Sequence, residues 1–134
     1  MKYANKYIES SKCLIRVWSG AVTAKDIQDA QLAMLQYVNQ DKQISGILSD
    51  LSNTTEYNIS YDDARIIAET SKMVSHSLPD IFFAVVAPRA LIFGMTKVWE
   101  ALCHDTGWTI EVFNSYDEAD SWLSKQLGID LING

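Results

Sequence analysis

Hydrophobic residues along this chain switch repeatedly between a spacing of about two and a spacing of about 3.6, the periods that separate strands from helices. "KYANKYI" and "KCLIRVW" read as two short strands joined by a hairpin link at "ESS", and Ser19-Gly20 ends the second. Thr23 then caps a helix, with Asp26 in the place where a capping box usually carries Glu. Ile27, Ala30, Met34, Leu35 and Val38 supply its packing face. "SGILSDL" is a short strand ending near Asp50, and the polar stretch "SNTTEYNI" is expected to be a loop. Ser60 is a good N-cap for "YDDARIIAETSKMVSHS", whose Asp62 and Asp63 suit the positive end of a helix dipole. Ile66, Ile67, Met73 and Val74 form the stripe of that helix, with Thr70 in its middle.

Pro79-Asp80 turns the chain into "IFFAVVA", apolar on both faces and therefore a central strand. A helix is expected from about Ala90 to Asp105, with Gly107 as its stop signal, and "WTIEVF" is the last strand. Ser115 and Glu118 read as a capping box for "YDEADSWLSKQL", which Gly128 closes. The order β-β-α-β-α-β-α-β-α defines an α/β fold, a mixed sheet covered by helices. At 134 residues one domain over positions 1–134 is the economical expectation, long enough to bury a core without staples.

Charge narrows the range of partners. A net charge of −6 and a pI near 4.7 argue against nucleic acid, which requires a basic face. Cys13 and Cys103 have no metal-ligand or CxxC spacing, so reduced thiols and a cytoplasmic setting are expected. Pro88-Arg89 splits the most apolar run, "IFFAVVAPRALIFGM", before it reaches membrane-spanning length. There is no GxGxxG or Walker-type loop, and two histidines without clustered carboxylates make a poor metal site. Neither a metal nor a cofactor is expected.

Catalytic chemistry has weak support. Cys103 and His104 are sequence neighbours, and neighbours on a helix point about 100° apart, which prevents a nucleophile–base pair. Asp50, at a strand end, is either a crevice carboxylate or an acceptor for backbone donors in the turn that follows. The helix after Arg89 carries more information. Leu91, Met95, Val98 and Leu102 lie on one line and Ile92, Trp99 and Cys103 on the next, an apolar arc of roughly 140°. Phe93 falls on the opposite side, with Lys97, Glu100 and His104, and either tucks under a neighbouring element or gates a pocket. Arg89, at a helix start, is a candidate anion contact in an otherwise acidic chain.

Ala87-Pro88, Phe93-Gly94-Met95, Val112-Phe113 and Trp122-Leu123, together with Ser19-Gly20 and Asp50-Leu51, resemble a known pattern. It is that of stand-alone STAS-type domains (sulfate transporter and anti-sigma antagonist) related to the sporulation anti-sigma-factor antagonist. The resemblance spans nearly the whole chain and implies a non-enzymatic module. It also implies lipophilic-ligand binding or peripheral membrane association, by similarity to CRAL-TRIO lipid-transfer domains. Phosphoregulated members carry an Asp-Ser-Ser-Gly-like motif, whereas "NISYDD" has one serine and no glycine, so that switch is not implied here. The resulting expectation is a ligand site formed by Ile66, Thr70, Met73, Arg89, Phe93, Met95 and Trp99, opened by displacement of one helix. The alternative is a protein-interaction module offering the same apolar edge to a partner or to a second copy of itself.

Overall fold

The computed structural model describes residues 2–128. Strands β1 (Tyr3–Ile8) and β2 (Cys13–Thr23) form an antiparallel hairpin, with Tyr3 opposite Trp18 and Ile8 opposite Cys13. Strands β3 (Gly46–Asn58), β4 (Phe82–Val86) and β5 (Thr109–Phe113) join in parallel, giving the spatial order β1-β2-β3-β4-β5. Parallel neighbours need crossover connections, and right-handed crossovers that advance in one direction put their helices on one face. Those helices are α1 (Ala24–Ala33) with its short continuation α2 (Leu35–Asn39), then α3 (Tyr61–Ser75) and α4 (Ala90–Leu102). The last helix, α5 (Tyr116–Leu127), follows β5 and covers the opposite face, where Ala119 and Leu123 pack on Cys13, Leu48, Ala84 and Val86.

The expected caps fix the helix starts. Thr23 with Asp26 and Ser60 with Asp63 are reciprocal capping boxes, each side chain bonding the other residue's backbone N–H. Ser115 makes only half of one: its hydroxyl accepts from the Glu118 N–H at 3.2 Å, without a return bond. Gly128 ends α5 in the left-handed conformation, at φ +69°.

Four boundaries differ from the sequence expectation. Ser19-Gly20 does not end β2; the strand shifts register there, with Gly20 at φ +77°, and continues to Thr23. "SNTTEYNI" is not a loop but the second half of β3, paired with the continuation of β2. Its polarity hid the strand because most of the side chains on this two-stranded arm face water. The helix expected through Val38 breaks at Met34, whose N–H turns to the Gln31 carbonyl at 3.2 Å, and Val38 lies at the surface. Finally, α4 stops at Leu102, because the Thr106 hydroxyl and N–H both bond to the Cys103 carbonyl and close a turn before Gly107.

Candidate functional site

Between the sheet and the layer of α1, α3 and α4 lies a cavity of about 50 Å³. A water needs roughly 10–15 Å³ on this measure, so the space suits a few waters or a very small molecule. Trp18, Leu51 and Phe83 form its floor on three adjacent strands, and Ile67 and Trp99 form the roof on α3 and α4. Ile27, Tyr57 and Met95 are its half-buried lining residues, so the cavity comes nearest the surface among them.

Its polar groups are few and deeply placed. Arg16 shares the inward-facing parity of Leu14 and Trp18 on β2 and is only 2% exposed. Its Nε donates to Asn5 Oδ1 at 3.0 Å and Nη2 donates to the Ala30 carbonyl at 3.1 Å. That carbonyl precedes the helix break at Met34, whose N–H has turned to Gln31. The guanidinium also lies 5.0 Å from the centre of the Tyr3 ring, a cation–π distance. Burial pulls its pKa below the ordinary guanidinium value to about 10, against smaller raising contributions from Tyr3 and Tyr37, so the group is still a cation at neutral pH.

A second polar cluster centres on Ser71 of α3. Its hydroxyl accepts from Gln31 Nε2 at 2.9 Å and Trp99 Nε1 at 3.2 Å, and donates to the Ile67 carbonyl at 2.8 Å. Gln31 is 3% exposed, and its Oε1 has no hydrogen-bond partner among the described residues. Elsewhere on the wall, Ser49 accepts from Trp18 Nε1 at 3.1 Å and Thr96 donates to the Ile92 carbonyl at 2.7 Å. Burial raises the Tyr57 phenol to about 12, opposed by a hydrogen bond with Thr96, and keeps it neutral.

The structure sets the seven residues singled out from sequence in several places. Met95 and Trp99 line the cavity. Thr70 lies beside it on the α1–α3 seam, donating to the Ile66 carbonyl and accepting from Gln28 at 3.5 Å. Ile66 and Met73 lie on the outer side of α3, 40% and 54% exposed, while Ile67 occupies the inward position. Phe93 is half-buried against the main core. Arg89 reaches the two-stranded arm: its Nη1 donates to the carbonyls of Thr54 and Thr55 at 2.9 and 3.1 Å. β4 ends opposite Asp50, so those carbonyls lie beyond its reach, and Arg89 takes the place of a strand neighbour.

Reading by motif passed over Arg16 and Gln31. The signal for Arg16 was present in "CLIRVW": one charge among large apolar residues at the alternation of an inward face. Asp50 accepts from the N–H and hydroxyl of Ser52, the backbone-satisfying role. Burial raises both thiols, Cys13 and Cys103, to about 12, which keeps them protonated and poor nucleophiles at neutral pH. His104 is exposed, with Nδ1 3.2 Å from the Ala101 carbonyl. No cluster of three or more metal-ligating side chains occurs among the described residues. No helix among them is long and apolar enough to cross a membrane.

A five-stranded mixed sheet entered by a hairpin, with parallel crossover helices on one face and a terminal helix on the other, is a STAS-type architecture. Solved structures share it. The anti-sigma factor antagonist SpoIIAA in its unphosphorylated form matches with a TM-score of 0.59 over 95% of this chain and 99% of its own, at 8% identity. An uncharacterised DUF3478-family protein with a SpoIIAA-like fold, from Shewanella loihica, matches with a TM-score of 0.58 over 90% and 91%, at 15% identity. At these identities the likeness is one of fold. No family model matches the chain, and no curated protein matches it.

Proposed function

We propose that this chain is a non-catalytic interaction module of the STAS type, and that the occupant of its interaction face is a second copy of the chain. The observation that carries this reading is the outer line of α3, where Ile66 and Met73 keep about half of their surface exposed on either side of Thr70. Arg65, Glu69 and Lys72 interleave opposite charges with these apolar positions. An antiparallel α3–α3 contact about a two-fold axis would set Ile66 of one copy against Met73 of the other, the self-complementary arrangement that such symmetry requires. SpoIIAA, an anti-sigma factor antagonist, gives the fold a regulatory precedent. Sedimentation velocity over a concentration series tests the reading. The wild-type chain should pass from monomer to dimer, and Ile66→Glu and Met73→Glu should stay monomeric. A wild type that is monomeric throughout overturns it.

A second reading is a lipophilic or amphipathic ligand with peripheral membrane association. It is favoured by the largely apolar cavity that Met95 and Trp99 help to line and by Leu91, 74% exposed at the start of α4. A space of about 50 Å³ does not admit an acyl tail, so this reading needs a helix to move aside. Organic extraction and mass spectrometry of the purified protein, with flotation on liposomes, test it; neither a bound amphiphile nor flotation would sink it.

A further inference from the structure

We propose that the cavity under the three-helix layer is a binding site for a short-chain organic carboxylate, with Arg16 as its cation. A buried positive charge is costly unless an anion accompanies it. Among the described residues no carboxylate pairs with Arg16; every ion pair in the structure joins other residues. Among the described residues the cavity wall contains no Asp or Glu, and Arg16 is the one charged group of that lining. Two edges of the guanidinium are committed, Nε to Asn5 and Nη2 to Ala30, and Nη1 has no partner among the described residues. The fold thus orients the group firmly, sets the Tyr3 ring against it, and supplies no carboxylate among the described residues.

Gln31 sharpens the chemistry of the occupant. Its Nε2 is anchored on Ser71, while Oε1 is a buried acceptor without a donor among the described residues, on a residue that lines the same small space. A molecule that satisfies both needs is a carboxylate bearing a hydroxyl, of the size of lactate, its short apolar body lying against Trp18 and Trp99. Chloride would answer the charge but leave the Gln31 acceptor and the aromatic walls uncovered. Phosphate would call for more donors than one guanidinium supplies.

The experiment uses the full chain, titrated with lactate, propionate or chloride at constant ionic strength. Tryptophan fluorescence and the ¹⁵N side-chain signal of Arg16 follow binding. Lactate is expected to give a saturable response in both, propionate a weaker one and chloride none. Arg16→Met should weaken lactate binding by about ten- to a hundred-fold, the scale of one charge-assisted hydrogen bond. Gln31→Leu should remove the preference for lactate over propionate. Should Arg16→Met fail to fold, Ala64→Leu decides the matter. It fills the cavity from a buried position, leaves Arg16 in place, and should abolish binding without altering the circular-dichroism spectrum. No saturable response in the wild type, an equal response to chloride, or undiminished binding in Arg16→Met or Ala64→Leu would each overturn the assignment.

Discussion

The two faces of the sheet are built to different rules. Under α5, Leu123 and Ala119 meet Cys13, Leu48, Ala84 and Val86 in an apolar contact, with the Ser124–Asp120 hydrogen bond of the same helix half-buried beside it. Packing there is close: a methyl group added at Gly46 would lie 2.9 Å from Leu127 Cδ1 and 3.1 Å from Leu123 Cδ1. The face under α1, α3 and α4 instead buries Arg16, Gln31, Ser71 and Thr96 around the cavity. Buried polar groups and voids both reduce stability relative to a filled apolar core. That difference, buried polar groups around a cavity on one face only, is the ground on which the proposed ligand site is placed under the three helices.

The comparison can be broken by measuring what each face contributes. The largest effect is expected for Leu123→Ala, about 3 kcal/mol in urea unfolding, because a dense apolar contact cannot collapse around the deletion. A loss below about 1 kcal/mol would show that the α5 face is not the tight one. Ser71→Ala should cost about 2 kcal/mol by orphaning the Gln31 and Trp99 donors. Combined with Gln31→Leu its effect should be less than additive, since the two share a hydrogen bond.

The buried thiols give a smaller, pH-dependent effect that samples both faces. Each thiol ionises from 9.0 in the unfolded chain but keeps its proton to about 12 when folded. Their contribution is therefore full below pH 9 and is lost as pH rises through the interval to 12, because the folded state holds the proton that the unfolded state releases. The loss should be on the order of 1 kcal/mol per thiol by pH 10. Cys103→Ala should show a shallower alkaline decline than the wild type; identical slopes would show that Cys103 is not protected by burial. Smallest of all, Ile66→Ala and Met73→Ala should change stability by about 0.5 kcal/mol or less, as exposed positions do. A larger loss in the monomer would mean that these side chains serve the core rather than an interface.

Periodicity and caps made most of the architecture legible in the sequence. Thr23, Ser60 and Gly128 each mark a helix end by local chemistry, and "IFFAVVA" marks a strand buried on both faces. The β2–β3 arm was not legible, because a largely solvated ribbon lacks the apolar alternation that betrays a half-buried strand. In α3, Ile66 and Ile67 are adjacent, so composition alone could not say which one faces inward; the small residues Ala64, Ala68 and Ser71 settle it for Ile67. Arg89 drew attention as a cation at a helix start, yet its partners are carbonyls of Thr54 and Thr55, distant in sequence. Arg16 drew none: the alternation in "CLIRVW" records that it faces inward, but no local pattern records the missing carboxylate.

Contact between copies, as proposed, uses the three-helix side at the outer line of α3 and leaves the α5 side unused. A dilution series of methyl-labelled protein followed by NMR tests it directly. The account predicts concentration-dependent shifts at the methyls of Ile66 and Met73, with those of Leu123 and Leu48 unchanged. Shifts confined to the α5 side, or none at any concentration, would contradict it.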